Sequence, residues 1–144
     1  RLEKIAETDN AIAYKDFAHS PSKVLATTNA LKNQYPDREL IACLELHTYS
    51  SLNPEFLNHY KGTLAAADIA VVFYSPRAVE IKKLQAISQQ QIMDAFQSED
   101  LVVYTNPSEF KDFLFSQKFS NTSLLLMSSG NYGGLNFDEL KQLF

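Results

Sequence analysis

Short apolar runs alternate along this chain with longer stretches whose apolar residues recur at helical spacing. The runs at 11–17, 40–46, 69–74, 101–104 and 123–127 predict strands. Several are apolar at successive positions rather than at every second one, the mark of a strand covered on both faces. Between the runs lie start signals for helices. Ser20-Pro21, Asn53-Pro54 and Asn106-Pro107 each set a capping side chain before a proline. The side-chain oxygen can satisfy a free N–H, and proline lacks the donor that would be orphaned there. Ser88 with Gln91 fits a capping box, and Asn136 with Glu139 marks a further start. In the first predicted helix Val24, Thr28, Leu31 and Tyr35 share one face, and Pro36 ends it. After Asn106, the residues Phe110, Phe113 and Leu114 form a stripe that reads as core. Strand–helix alternation with short connections requires parallel strands. The expected fold is therefore α/β: a doubly wound, mostly parallel, Rossmann-like sheet of five to six strands with helices on both faces. In such a sheet ligands sit outside the carboxyl ends of the strands.

Composition narrows the class. The chain has 144 residues, which predicts a single domain over 1–144. Hydrophobic residues at 45% and charged residues at 21% exclude a disordered tail. The longest apolar runs are too short to span a bilayer. A net charge of −4 and a pI near 5.3 argue against non-specific binding to nucleic acid or a membrane surface. The one cysteine, Cys43, allows no internal disulfide and reads as a small core hydrophobe, so a cytoplasmic location is expected. The chain opens at Arg1 with no initiator Met, which predicts a domain cut from a longer chain.

The chemistry-bearing residues fall at the predicted carboxyl ends. Asp16 and His19 leave the first strand together and run into a helix N-terminus, which suits an anion such as phosphate. Asp16 could orient a histidine or hold a metal-bound water, and His19 could contact a phosphate oxygen. The plainer alternative is that Asp16 and Ser20 simply cap the loop and the helix. His47 follows the second run, but His59 is expected mid-helix and no Cys/His spacing fits a metal motif, so no metal site is expected. The segment 128–134 holds three of the four glycines and must follow a special backbone path, yet it lacks the Lys-Ser/Thr ending of a P-loop. Arg77, Glu80, Lys82 and Lys83 read as a solvated face, with Arg77 near enough to a strand end to reach the crevice. With no serine elbow, GxGxxG or P-loop, the domain reads as a contributor to a site rather than its owner.

The string Tyr14-Lys15-Asp16-Phe17-Ala18-His19-Ser20-Pro21-Ser22-Lys23-Val24-Leu25-Ala26-Thr27 resembles the opening of the C-terminal domain of the Mur ligases, where Asp-(Tyr/Phe)-(Ala/Gly)-His-x-Pro leads into a helix. Glu45-Leu46-His47-Thr48-Tyr49-Ser50 is similar to the Pro-His-x-Tyr-(Thr/Ser) segment of the UDP-N-acetylmuramate–alanine ligase branch. Tyr74-Ser75-Pro76-Arg77-Ala78-Val79-Glu80 loosely resembles that branch's Tyr-Pro-Ala-x-Glu. Two departures separate the chain from the alanine ligases: Ser51 stands where they carry arginine, and Ser20 replaces the second histidine of His-His-Pro. The Ser-Ser-Leu-Asn run and the Val-Glu-Ile-Lys-Lys-Leu stretch look more like the murein peptide ligase branch, which attaches L-alanyl-γ-D-glutamyl-meso-diaminopimelate to UDP-N-acetylmuramate.

The resemblance implies an ATP- and Mg2+-dependent ligase of peptidoglycan recycling. Its central and N-terminal domains would hold ATP, Mg2+ and UDP-N-acetylmuramate, while this domain presents the incoming amine. It assigns Asp16 and His19 to the catalytic site, facing the nucleotide phosphates. It assigns His47, Tyr49, Ser50 and Ser51 to the peptide pocket, and pairs Arg77 with a peptide carboxylate. A small Ser51 in place of arginine would open room for a tripeptide, and the isolated domain would be inactive. The rivals are the alanine ligase branch, a flavodoxin-like receiver or binding module without catalysis, and a pure interaction domain. The receiver expects acidic residues after the first strand, an Asp ending the third and a Lys after the fifth; here the third ends at Tyr74-Ser75 and the fifth at Ser128-Ser129.

Overall fold

The computed structural model describes residues 1–98 and 100–144. Its sheet has six strands in the order β1-β2-β6-β3-β4-β5. These are β1 (Glu3–Glu7), β2 (Ala11–Asp16), β3 (Glu39–Glu45), β4 (Ile69–Phe73), β5 (Val102–Tyr104) and β6 (Thr122–Met127). All neighbours pair parallel except β1 with β2. The five predicted runs are the five parallel strands. The antiparallel edge strand β1 carries Glu3, Lys4 and Glu7 around a single buried Ile5, so no apolar run announces it. Its charges also discourage another chain from pairing with the edge.

Helices cover both faces, as expected. On one face lie α1 (Pro21–Gln34), α2 (Pro76–Ile81), α3 (Gln89–Phe96) and a 3-10 turn (Leu57–Tyr60), which share a core with Leu44, Leu46, Val72, Leu125 and Met127. The other face carries α4 (Pro107–Ser116) and α5 (Phe137–Lys141), over Cys43, Phe73, Leu124 and Leu126. Neighbouring residues of one strand enter different cores, which is why these strands are apolar at successive positions. Val24, Thr28 and Leu31 bury the predicted face of α1. Phe110 and Leu114 do so for α4, where Phe73, Phe110 and Tyr132 form an aromatic cluster with centroids 4.9–5.8 Å apart. Each such pair adds about 0.5–1.5 kcal/mol beyond area burial.

The capping signals resolve in different ways. Ser88 and Gln91 form the full capping box, and Asn106 and Asn136 each accept two backbone N–H bonds. Ser75, not singled out by sequence, caps α2 through Ala78 N. The helix predicted after Asn53-Pro54 is absent. Asn53 Oδ1 accepts from Glu55 N at 2.9 Å, and the chain continues as successive turns with one short 3-10 segment containing His59. A compact run of turns lets Leu52, Leu57, Tyr60 and Leu64 all reach one core, which a straight helix would spread around its circumference.

Candidate functional site

After β2 the chain turns onto the α1 face; after β6 it turns onto the opposite face toward α5. These strands are neighbours, with Asp16 opposite Met127, so their departing loops part and leave a crevice at the carboxyl end. Two cavities open there and share Asp16 and Phe17. The larger, about 340 Å³, adds Lys15, Ser128, Gly130 and Phe137 to its wall. The smaller, about 180 Å³, adds His19, Ser20 and Lys23 at the start of α1.

Asp16 and His19 both sit on this rim, but they do not pair. Asp16 Oδ1 accepts from Ala18 N at 2.6 Å, while His19 Nδ1 bonds the Phe17 carbonyl at 2.8 Å. A carbonyl only accepts, so Nδ1 carries the proton and Nε2 is left for a ligand. The idea that Asp16 orients the histidine therefore gives way to two independent local bonds. Tyr60 ties the loop down by donating its hydroxyl to the His19 carbonyl, and burial pushes that phenol up to about 12. Ser20 occupies the cap position of α1 without a side-chain bond, so the capping alternative fails for this residue. The uncapped end of a fourteen-residue helix, with His19 and Lys23 beside it, has the size and charge to take a phosphate group.

The β3 loop splits the remaining residues. His47 is half-exposed, with its ring over Gly130; a Cβ there would lie 3.0 Å from His47 Cδ2, so glycine makes room for the imidazole. Tyr49 is 63% exposed, with Lys82 Nζ 5.1 Å from its ring centre, and Ser50 is exposed beside it. Ser51 behaves differently. It is buried, and its hydroxyl meets Thr48 N at 3.0 Å and Thr48 Oγ1 at 2.9 Å. Its hydroxyl is thus engaged within the loop, where it holds the turn that carries Tyr49 and Ser50. Arg77 is exposed in the first turn of α2, on the β4 side.

Sequence reasoning passed over Glu45 as a site residue. Its side chain is 3% exposed at the end of the central strand β3, where Oε1 accepts from Ser128 Oγ at 2.6 Å and Tyr132 N at 2.8 Å. An acidic residue closing an otherwise apolar strand was the available signal. Among the described residues no group of three or more His, Cys, Asp or Glu is placed to hold a metal ion. Burial drives the Cys43 thiol upward, keeping it neutral.

This fold and rim define a Rossmann-like α/β domain with a mostly parallel six-stranded sheet and a polar crevice at its carboxyl end. No family model matches the chain. It is similar in sequence to the UDP-N-acetylmuramate–L-alanine ligase of Agathobacter rectalis, 29% identical over 153 aligned positions that cover 98% of this chain and 33% of that one. The chain thus spans about a third of the length of that relative. In structure it is similar to a domain named for a UDP-N-acetylmuramate:L-alanyl-γ-D-glutamyl-meso-diaminopimelate ligase of Haemophilus ducreyi (TM-score 0.67, 23% identity, all of both chains). It is likewise similar to a murein peptide ligase of Psychrobacter arcticus (TM-score 0.70, 16% identity, 96% of this chain and 29% of that one). Among the described residues no helix is long and apolar enough to cross a membrane.

Proposed function

We propose that this chain is the C-terminal, amine-presenting domain of a cytoplasmic ATP-dependent ligase that joins L-alanyl-γ-D-glutamyl-meso-diaminopimelate to UDP-N-acetylmuramate. The observation that carries this reading is the Asp16–His19 loop, running into an α1 terminus without a side-chain cap at the mouth of the crevice. The sequence similarity to a UDP-N-acetylmuramate ligase over 98% of the chain supports it. ATP, when bound by the neighbouring central domain with Mg2+, supplies the phosphoryl group that activates the muramate carboxylate as an acyl phosphate. The residues here then do three things. Lys23 and the α1 amides hold phosphate oxygens, and the His19 ring joins them when it is doubly protonated and donates from Nε2. His47, Tyr49 and Ser50 line the path of the incoming peptide, and Arg77 pairs with one of its carboxylates. Closure of this domain over the others lines up amine and acyl phosphate and keeps water out. The amine displaces phosphate and loses a proton as the amide forms.

The test is His19→Ala in the longest natural chain that carries this domain, assayed for amide formation with ATP, UDP-N-acetylmuramate and the tripeptide. A fall in kcat of about 100-fold is expected for loss of a positioning contact to the reacting phosphate. An unchanged kcat would overturn the reading. The alanine-adding alternative has the Agathobacter similarity in its favour. It is decided in the same assay by replacing the tripeptide with L-alanine and comparing kcat/KM. ATP hydrolysis by the 144 residues alone would contradict the division of labour.

A further inference from the structure

Glu45, His47, Ser128 and Gly130 interlock across two loops far apart in sequence. Glu45 spends one carboxylate oxygen on the β6 loop: Oε1 receives both Ser128 Oγ and Tyr132 N. Ser128 Oγ in turn accepts from Gly130 N at 2.7 Å. The other oxygen, Oε2, faces His47 Nδ1 at 3.7 Å, an ion-pair distance longer than a hydrogen bond. Gly130 supports the ring from beneath, since a Cβ there would sit 3.1 Å from both His47 Cγ and Glu45 Oε1. A carboxylate has no proton to give, so the neutral ring is lowest in energy with its proton on Nδ1 and its lone pair on Nε2. At that distance the carboxylate acts on the ring through its charge, which favours the positive N–H end at Nδ1.

We propose that Glu45 is a positioning residue that sets the tautomer of His47, making Nε2 an acceptor for the ammonium end of an incoming amine. This rests on the ligase reading for the identity of the amine, but the tautomer itself does not. An acceptor nitrogen backed by a buried anion favours a cationic donor and repels a carboxylate. The two jobs of Glu45 can be separated by Glu45→Gln. The amide oxygen can still accept from Ser128 and Tyr132 N, whereas the amide NH2 now faces His47 Nδ1 and donates to it. The loop clamp survives while the ring is forced into the other tautomer.

The experiment is 15N-histidine NMR of the 144-residue chain at a pH where the ring is neutral. We expect the His47 proton on Nδ1 in the parent chain and on Nε2 in Glu45→Gln. Ser128→Ala, which loosens the clamp only, should lower Tm and leave the tautomer unchanged. A proton on Nε2 in the unsubstituted chain overturns the proposal without need of any variant, and so does a tautomer that Glu45→Gln leaves in place. With L-alaninamide as the ammonium probe, the apparent Kd read from the His47 resonances should rise about tenfold in Glu45→Gln, the ratio for one charge-assisted hydrogen bond. Equal affinities would overturn the ligand assignment. Because the tautomer is read with no ligase substrate present, its failure is distinguishable from failure of the ligase reading, which is decided by amide formation.

Discussion

The loops that leave β2 and β6 begin side by side, joined by a 3.0 Å bond from Ser128 N to Asp16 O, yet they are held in opposite ways. The β2 loop is fastened mostly by local bonds, Asp16 to Ala18 and His19 to Phe17 across two residues each, with Tyr60 holding the His19 carbonyl from a distance. The β6 loop is fastened from without. Ser128 and Tyr132 reach Glu45 more than eighty positions away in sequence, and the buried Tyr132 hydroxyl meets the carbonyls of Cys43 and Met127. A locally bonded loop can keep its shape and present side chains outward, as Phe17 shows at 62% exposure. A loop pinned at a distance becomes part of the core and transmits its position to what rests on it, here His47 over Gly130.

The largest break in that contrast should come from Tyr132→Ala. Losing a fully buried ring and its hydroxyl bonds should cost about 3–5 kcal/mol in urea unfolding. A cost under about 1 kcal/mol would mean the β6 loop is not anchored by this residue. Gly133→Ala should follow at about 1–3 kcal/mol. Its φ of +71° is strained for any side chain, and the added Cβ would lie 2.7 Å from Pro107 Cγ. Equal stability of the alanine variant would refute that strain.

Alkaline pH sharpens the comparison from the other side, because Tyr60 straps the β2 loop from a distant part of the chain. Burial raises its folded-state value to about 12 from an ordinary 10. Below pH 10 both states hold the proton and its contribution is complete. As pH rises from 10 toward 12 the unfolded chain releases the proton first, and about 2 kcal/mol of stability is lost. Tyr60→Phe should remove that part of the alkaline slope; an identical slope in the variant would exclude Tyr60 as its source. The smallest effect is expected from Asp16→Asn, which keeps an acceptor for Ala18 N. It should change stability by less than about 1 kcal/mol in the same urea experiment, and a larger loss would show that Asp16 is structural beyond its own loop.

The same distinction decides what could be read in advance. The five parallel strands were legible because burial on both faces writes an unbroken apolar run. Asp16 and His19 were legible because a strand end, a carboxylate, an imidazole and a proline-led helix lie within a few residues. Strand β1 was hidden by its charges, and the turns after Asn53 by a proline signal that serves helices and turns alike. Ser51 reads as a pocket position from its place after Tyr49 and Ser50, whereas its burial and its bonds to Thr48 follow from a side-chain direction that spacing does not encode.

By itself the sequence determined the alternation of strand and helix, the two-sided core and the rim on which the polar groups gather, because periodicity and capping are short-range properties of a chain. Only the tertiary structure decided that Glu45, His47, Ser128 and Gly130 form one assembly. Parallel pairing inserts β6 between β2 and β3, and a buried carboxylate acquires its partners from whatever segment that pairing brings alongside.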